Sequence, residues 1–367
     1  MLGVKRAVAI IQSNQPARVW NRLWSLFAAM LLLGIAGLAH AGYAAIVIDP
    51  ATGEVLSAVN ADEQNYPASL TKMMTLYLTF QALQNNKLKI DQDLPVSAWA
   101  ASRAPTKLGL RAGQTISVND CILGMVTKSA NDAASVVAES LGGSEGHFAE
   151  MMTAQAALLG MSSTHFANAN GLPDPNNTST ARDMVKLAVA LYRDFPQYTH
   201  YFATKEFVFR GQLIRGHNNL MDRYPGMDGL KTGFTDASGF NLASTAVRDG
   251  RRLFAVVLGG RSASARDNLM ARLLDDGFDN QPTPETLVAR AGMPSTTRRV
   301  LAALSPIETA EADETAPAPA HRRSHGCTPH RGKSCPRASK THPKSTTRLA
   351  HRKSKKVMLA SSADSHD

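Results

Sequence analysis

The chain has few cysteines, only three among 367 residues. This scarcity excludes a small fold stapled by several disulfides. Aromatic residues are also scarce, at 6%. We find no internal repeat and no glycine-rich phosphate loop, so neither a repeat protein nor a P-loop nucleotide-binding enzyme is expected. What is present is a hydrophobic fraction of 44% in a long chain, enough for one large core with additional segments.

The three cysteines also lack the spacing of a metal site. Cys121 lies in an apolar stretch and is expected to be a buried thiol rather than a nucleophile. Cys327 and Cys335 can pair in an oxidising compartment. His325 and His330 lie near them, but the spacing fits no standard zinc module, so we expect no metal.

The N-terminal segment has the pattern of an export signal. Four Lys and Arg residues precede an apolar run over 23–39, and Ala39-His40-Ala41 gives a small-x-small pattern before Gly42. We therefore predict a signal peptide over 1–41 and an exported protein of the periplasm or cell envelope. The alternative is an uncleaved anchor, because a run of about 17 residues is at the lower limit for spanning a bilayer.

The C-terminal region carries the net positive charge. Residues 321–367 contain twelve Lys or Arg against two Asp, whereas residues 1–320 contain 28 basic and 28 acidic residues. This tail has no aromatic residue, so we predict a disordered segment, joined by a linker over 281–320. Its expected partner is an anionic envelope polymer or membrane surface rather than nucleic acid, since no aromatics are interleaved for base stacking. A solvated tail without a partner is the simpler alternative.

The segments between these ends predict an α/β domain of the α+β type over 42–280. Strand patterns occur near both ends and helical patterns in the middle. The predicted strands are 44–48, 54–59, 206–210, 229–233, 240–247 and 251–258, and the helices lie within 69–193 and at 264–278. The simplest closure is one antiparallel sheet built from both ends, with the helices packed on it.

Three short motifs in one order indicate acyl transfer through a serine. They are Ser69-x-x-Lys72, Ser129-x-Asn131 and Lys231-Thr232-Gly233. A serine and a lysine three residues apart share one helix face, so the Lys72 amine can reach the Ser69 hydroxyl as its base. Ser129 is a candidate proton relay in the same reaction.

The serine-x-asparagine motif is ambiguous because Ser117-x-Asn119 also matches it. We choose Ser129, which lies between two predicted helices and can face a cleft. A simpler interpretation is that Ser69, Ser129 or Asn131 only caps a helix. The order of all three motifs favours catalysis.

The remaining positions suit substrate binding. Asn131 can donate to and accept from a substrate amide, and Lys231 with Thr232 suits a substrate carboxylate. The backbone N–H groups of Ser69 and Phe234 are the candidate oxyanion hole.

These motifs, and the segment 171–183, resemble the D-alanyl-D-alanine carboxypeptidases, the low-molecular-mass penicillin-binding proteins, over roughly 43–280. The resemblance implies a β-lactamase/transpeptidase-like fold. It also implies removal of the terminal D-alanine from peptidoglycan stem pentapeptides through an acyl-enzyme on Ser69, without a cofactor, and covalent inhibition by β-lactams. By the same match Lys72 accepts the proton, Ser129 assists and Lys231 binds the substrate carboxylate. The family's small β-rich second domain and amphipathic membrane helix are not expected after residue 280.

Three alternatives remain. A class A β-lactamase needs a glutamate in a Glu-x-x-x-Asn context. No glutamate between the second and third motifs has an asparagine four residues later, so we expect slow turnover of β-lactams. The glutamates considered are Glu139, Glu145, Glu150 and Glu206. A D,D-endopeptidase that cleaves cross-links would use the same residues. A protein of another class would bind envelope polymers through its basic tail.

Overall fold

The computed structural model of the chain describes residues 43–292. The predicted signal peptide and basic tail, and most of the predicted linker, lie outside these residues. Strands in the described part are β1 Ala44–Asp49, β2 Glu54–Val59, β3 Asp93–Pro95, β4 Thr115–Ser117, β5 Glu206–Phe209, β6 Gln212–Arg215, β7 Met227–Thr235, β8 Gly239–Arg248 and β9 Arg251–Gly260. Helices are α1 Lys72–Gln84, α2 Ala98–Ala101, α3 Val118–Val126, α4 Asn131–Gly142, α5 Glu145–Leu158, α6 Ala181–Asp194, α7 Ala263–Phe278 and α8 Glu285–Gly292.

One antiparallel sheet joins the two ends of the domain in the order β2-β1-β9-β8-β7. Strand β1 pairs with β9 over Ala44 to Ile48, with Ala44 opposite Leu258. The first strand of the described part therefore lies between β2 and the hairpin formed by β8 and β9. This topology confirms the α/β prediction of one sheet built from both ends, with a helical middle between them in sequence.

Both faces of the central strands are buried. In β9, Phe254, Val256 and Leu258 face the larger core. Their neighbours Ala255 and Val257 face a second core that includes residues of α7 and α8. Because successive strand side chains point to opposite faces, a strand covered on both sides needs a continuous apolar run. The apolar segments of β1 and β9 have this form.

Two boundaries differ from the sequence-based expectation. Lys231-Thr232-Gly233 was expected at a strand end but lies inside β7, paired with β8 on both sides of the motif. Within the segment assigned to a linker over 281–320, residues Glu285–Gly292 form α8, where Val288 is fully buried in the second core. A short helix with one buried residue gives little periodic signal in the sequence.

No helix in residues 43–292 combines the length and apolar character needed to cross a bilayer.

Candidate active site

The three motifs meet at one cleft of about 510 Å³. Its wall on the helical side includes Ser69, Ser129 and Asn131, and its wall on the sheet side includes Thr232 and Gly233. We call these the helical wall and the sheet wall. Residues separated by more than 160 positions in sequence thus surround one volume, as the three motifs predicted.

Ser69 lies in a tight 3₁₀ turn, Ala68–Thr71, immediately before α1. Ala68 has a φ of +50°, a conformation that non-glycine residues rarely adopt. The side-chain amide of Asn241, on β8, donates to the carbonyls of Tyr66 at 2.9 Å and Pro67 at 3.1 Å. These bonds to the sheet hold the strained turn, so the serine is presented in a fixed position.

A loop over 168–178 closes against the same turn. A Cβ on Gly171 would lie 1.9 Å from the Ala68 carbonyl oxygen, so this close approach requires glycine. Farther along the loop, Asn177 donates to the Thr71 hydroxyl at 3.0 Å, and Thr75 donates to the Ala169 carbonyl at 2.6 Å. The loop is therefore fastened to the start of α1, beside the serine.

Lys72 is fully buried, and its Nζ lies 3.2 Å from Ser69 Oγ. The same nitrogen donates to Asn131 Oδ1 at 2.7 Å and to the Asn170 main-chain carbonyl at 2.5 Å. A neutral amine has two N–H donors and one lone pair. Because the two acceptors take the two donors, the lone pair is left for the hydrogen of the Ser69 hydroxyl. This geometry suits a general base.

The electrostatic environment also favours the neutral amine. Burial holds the pKa of Lys72 well below its usual range, and the nearby Lys231 ammonium lowers it further. The carboxylates of Glu145 and Asp132 act in the opposite direction and raise it. The net direction is downward, which favours the neutral amine that a proton acceptor requires.

Ser129 lies between α3 and α4, in agreement with the prediction that it lies between two helices, and its φ is +60°. Its carbonyl accepts a hydrogen bond from the Thr106 hydroxyl at 3.1 Å. The Ser129 hydroxyl is buried and has no hydrogen-bond partner among residues 43–292. A buried hydroxyl without a partner at the wall of a cleft is available to a substrate atom.

The Asn131 side chain, predicted to bind a substrate amide, already makes two hydrogen bonds within the protein. Its Oδ1 accepts from Lys72, and its Nδ2 donates to the Ala104 carbonyl at 2.9 Å. Asn131 therefore supports Lys72 directly. One amide hydrogen remains for substrate, and the substrate-binding role stays a prediction.

On the sheet wall, Thr232 and Gly233 line the cleft while the Lys231 side chain is 1% exposed. The Lys231 ammonium donates to the Thr232 carbonyl at 2.8 Å. Burial, and secondarily the Arg266 guanidinium, lowers the pKa of Lys231 to about 7. Because this pKa is near neutral, the charge of Lys231 depends on what binds beside it.

The close approach of β7 to Ser69 suits an oxyanion hole. A Cβ on Gly233 would lie 3.1 Å from the Ser69 nitrogen and 3.0 Å from the Pro67 carbonyl oxygen. The next residue, Phe234, also lines the cleft. The N–H groups of Ser69 and Phe234 therefore belong to backbone segments in contact through Gly233, as the predicted pair requires.

Sequence reasoning missed several residues at this site. Arg266 lines the cleft and is 4% exposed, with its guanidinium donating to Asp267 Oδ1 at 2.6 Å. Asn170 supplies the carbonyl that holds Lys72. His217, which follows β6 in the sequence, also lines the cleft. Its pKa is lowered by burial and by the positive charges of Lys231 and Lys128. The sequence pointed to this region only through the segment 171–183, which was part of the family resemblance and carried no residue role.

Comparison with known proteins agrees with this geometry. The sequence model of a family described as D-alanyl-D-alanine carboxypeptidase, peptidase S11, matches residues 35–262, more than half of the chain. The chain belongs to this family. Among curated members, it is 36% identical to D-alanyl-D-alanine carboxypeptidase DacD of Escherichia coli strain K12 over 256 residues, covering 68% of this chain and 66% of that protein. It is 38% identical to DacC of the same strain over 240 residues, covering 64% and 60%.

Solved structures of penicillin-binding proteins show the same fold. Penicillin-binding protein 5 from Haemophilus influenzae aligns with a TM-score of 0.63 at 32% identity, covering 67% of this chain and 73% of that one. Penicillin-binding protein D2 from Listeria monocytogenes, in its cefotaxime-bound form, aligns with a TM-score of 0.57 at 34% identity, covering 66% and 99%. The transpeptidase-like fold implied by the sequence resemblance is therefore confirmed. The chain spans only 60% to 66% of the length of the two Escherichia coli carboxypeptidases.

Among the described residues, no group of three or more His, Cys, Asp or Glu side chains is arranged to hold a metal ion.

Proposed function

We propose that this chain is a serine-type D-alanyl-D-alanine carboxypeptidase, which removes the terminal D-alanine from peptidoglycan stem pentapeptides. The observation that carries the proposal is the Lys72 amine, 3.2 Å from Ser69 Oγ, with its two other contacts on Asn131 and Asn170. Membership of a family described by this activity supports the same substrate. Penicillins and other β-lactams would acylate Ser69 as covalent inhibitors.

Acylation begins when Ser69 Oγ attacks the carbonyl carbon of the penultimate D-alanine. The Oγ–H proton passes to Lys72 Nζ as the new C–O bond forms. The carbonyl oxygen becomes an oxyanion that the N–H groups of Ser69 and Phe234 stabilise. The terminal carboxylate of the substrate binds at the sheet wall, where Thr232, Lys231 and Arg266 provide one hydroxyl and two cations.

The leaving nitrogen must gain a proton as the C–N bond breaks. The Ser129 hydroxyl, which has no other partner among the described residues, donates this proton. Lys72 then reprotonates the Ser129 oxygen. Water then attacks the ester carbonyl, giving its proton to Lys72, and Ser69 Oγ leaves with a proton restored. No cofactor takes part in these steps.

The proposal places the enzyme at the cell envelope. The predicted signal peptide over 1–41 would deliver it to the periplasm, beside peptidoglycan. The basic tail over 321–367 would bind an anionic envelope polymer or membrane surface by charge, without entering the catalytic steps. N-terminal sequencing of the mature protein tests the first point, and a start at Gly42 is expected.

Labelling with a fluorescent penicillin tests the catalytic proposal. The purified full chain should be labelled and should release D-alanine from a pentapeptide, and Ser69→Ala should abolish both. Ser117→Ala is the matched control, because Ser117 caps α3 away from the cleft. An unlabelled wild type would overturn the assignment. Faster cleavage of cross-linked muropeptide than of pentapeptide would indicate a D,D-endopeptidase, and rapid penicillin hydrolysis a β-lactamase.

The tail is tested in the full chain by replacing its twelve Lys and Arg residues with Gln. Activity on soluble pentapeptide should be unchanged, and salt-sensitive binding to isolated cell envelopes should be lost. Envelope binding equal to that of the wild type would refute the tether, and lost activity would refute its independence from catalysis.

A further inference from the structure

A buried carboxylate lies behind the helical wall. Glu145, at the start of α5, is 8% exposed. It accepts hydrogen bonds from the Trp99 indole at 2.7 Å, the Ser135 hydroxyl at 3.0 Å, Asn170 Nδ2 at 2.9 Å and the Ala169 main-chain N–H at 3.2 Å. A carboxylate has about four acceptor positions, so these four donors fill it. This degree of pairing is what stabilises an ionised carboxylate in an interior.

The network reaches the catalytic lysine through a single residue. Asn170 gives its side-chain amide to Glu145 and its main-chain carbonyl to Lys72 Nζ. The Ser135 hydroxyl, 3.2 Å from Asn170 Nδ2, braces the same amide. Loss of the carboxylate would leave Asn170 held less firmly, and its carbonyl sets one of the two directions in which the Lys72 amine donates. The direction of the lone pair toward Ser69 depends on both.

We propose that Glu145 is a positioning residue for the acyl-transfer reaction, holding Asn170 so that the Lys72 amine faces Ser69 and balancing the buried positive charge beside it. This inference rests on the proposed function. The charged groups that act on Lys72 come from three elements: Glu145 on α5, Asp132 on α4 and Lys231 on β7. Glu145 is the one of the two carboxylates that is also joined to Lys72 through a shared hydrogen-bonded residue.

Glu145 is not placed to activate the deacylating water. In the loop 168–178, Gly171, Leu172 and Pro173 line the cleft. Glu145, which accepts from Trp99 and Ser135, does not line it. The Glu-x-x-x-Asn pattern of class A β-lactamases is absent from the sequence. The structure does bring a glutamate and an asparagine together, as Glu145 and Asn170, but neither residue lines the cleft.

The two parts of the role predict different signatures. The Glu145 carboxylate raises the pKa of Lys72. Removing the charge therefore lowers this pKa, and the acid limb of the acylation rate moves to lower pH. A change that only loosens the network lowers the rate at every pH and leaves the limb in place. Glu145→Gln removes the charge and replaces one acceptor oxygen by an NH₂ group, which cannot accept from the donors that it faces. Glu145→Asp, Ser135→Ala and Trp99→Phe keep the charge.

The test measures the acylation rate constant of the purified full chain with a fluorescent penicillin as a function of pH. Glu145→Gln should lower the plateau rate about 10- to 100-fold, the scale of a small misplacement of a reacting group, and shift the acid limb to lower pH. The three charge-preserving variants should lower the plateau without the shift. Glu150→Gln, an exposed position on the same helix with a side chain 77% accessible, should match the wild type in both.

A folded Glu145→Gln variant with a wild-type plateau and limb would overturn the proposal. So would a lowered plateau with an unmoved limb, which a purely structural role predicts. Normal acylation with a label that lasts longer than that of the wild type would also overturn it, because Glu145 would then be a deacylation base. If Glu145→Gln does not fold, Glu145→Asp decides, since an unchanged plateau there refutes the positioning role. An unlabelled wild type refutes the proposed function itself and is distinguishable from all of these outcomes.

Discussion

The two walls of the cleft each bury a lysine, and they treat it differently. On the helical wall, Lys72 has two acceptors besides Ser69 and two carboxylates close enough to influence it. On the sheet wall, Lys231 has a carbonyl acceptor and a second cation, Arg266, nearby. Burial is the largest cause of the lowered pKa at both lysines. Burial alone therefore does not assign a role.

The difference lies in what surrounds each amine. Around Lys72 the acceptors fix the direction of a lone pair, which is what a base needs. Around Lys231 few groups fix direction, and a pKa of about 7 leaves a charge that an incoming carboxylate can stabilise. In the proposed mechanism, one residue type is therefore suited to accept a proton where its partners orient the amine, and to bind an anion where few partners neutralise its charge.

The largest effect should come from removing the helical-wall lysine. Lys72→Met keeps the volume but removes the base, so acylation by a fluorescent penicillin should slow by about 10³- to 10⁴-fold. Stopped-flow or gel-based labelling measures this rate. Lys186→Met, at a half-buried lysine on α6 that also donates to a main-chain carbonyl, is the control and should label normally. A Lys72→Met rate within tenfold of wild type would mean that another group accepts the proton.

Closing the contact between the walls should have the next largest effect. The Cβ of Gly233→Ala would press on the Ser69 nitrogen at 3.1 Å, displacing an oxyanion donor, so acylation should slow by about 10²- to 10³-fold. Gly146→Ala places a Cβ on α5 in open space and should leave the rate unchanged. Equal rates in both variants would show that the N–H groups of Ser69 and Phe234 do not form the oxyanion hole.

The sheet wall should impose a pH limit on carboxylate substrates. Because the pKa of Lys231 is about 7, its charge is present below that pH and lost above it. For a peptide with a free C-terminal carboxylate, kcat/KM should fall above about pH 7, approaching tenfold per pH unit. The same peptide with a C-terminal amide should lack this limb. If both peptides show it, the titrating group acts on the chemistry rather than on carboxylate binding.

The smallest effect concerns stability. Lys231 has a pKa of about 7 when folded and about 10.4 when unfolded. Between these values the unfolded chain binds more protons, so stability rises with pH, and the folding penalty is complete below pH 7. Lys231→Met should remove the penalty and stabilise the protein by about 1 to 2 kcal/mol at pH 7, with a smaller gain near pH 10.

Lys72→Met provides the contrast in the same urea unfolding experiment. It removes a buried amine but leaves the acceptors on Asn131 and Asn170 unpaired, which costs about 1 to 3 kcal/mol for each group left unsatisfied. No net stabilisation is expected. An equal increase in the free energy of unfolding in both variants would mean that the acceptors around Lys72 do no more than solvate its amine. The distinction between the two walls would then be wrong.

The sequence by itself determined much of this protein. The strand patterns at both ends and the helical middle predicted the antiparallel sheet, because alternation and apolar runs are local properties that tertiary packing preserved. The order of the three motifs predicted that their residues meet, and residues of all three line one cleft. The roles of nucleophile, base and relay remain predictions. Cys121 was expected to be buried, and it is fully buried in α3.

Only the tertiary structure decided the second layer of the site. Glu145 and Asn170 are 25 residues apart, and no periodicity joins a helix start to an irregular loop. Arg266 reaches the cleft because α7 packs on the sheet beside β8, where it donates to the Asn241 carbonyl at 3.1 Å. The reason is physical: local spacing fixes which side chains share one helix face or strand, but charge balance and hydrogen-bond satisfaction in an interior depend on which distant segments are packed together.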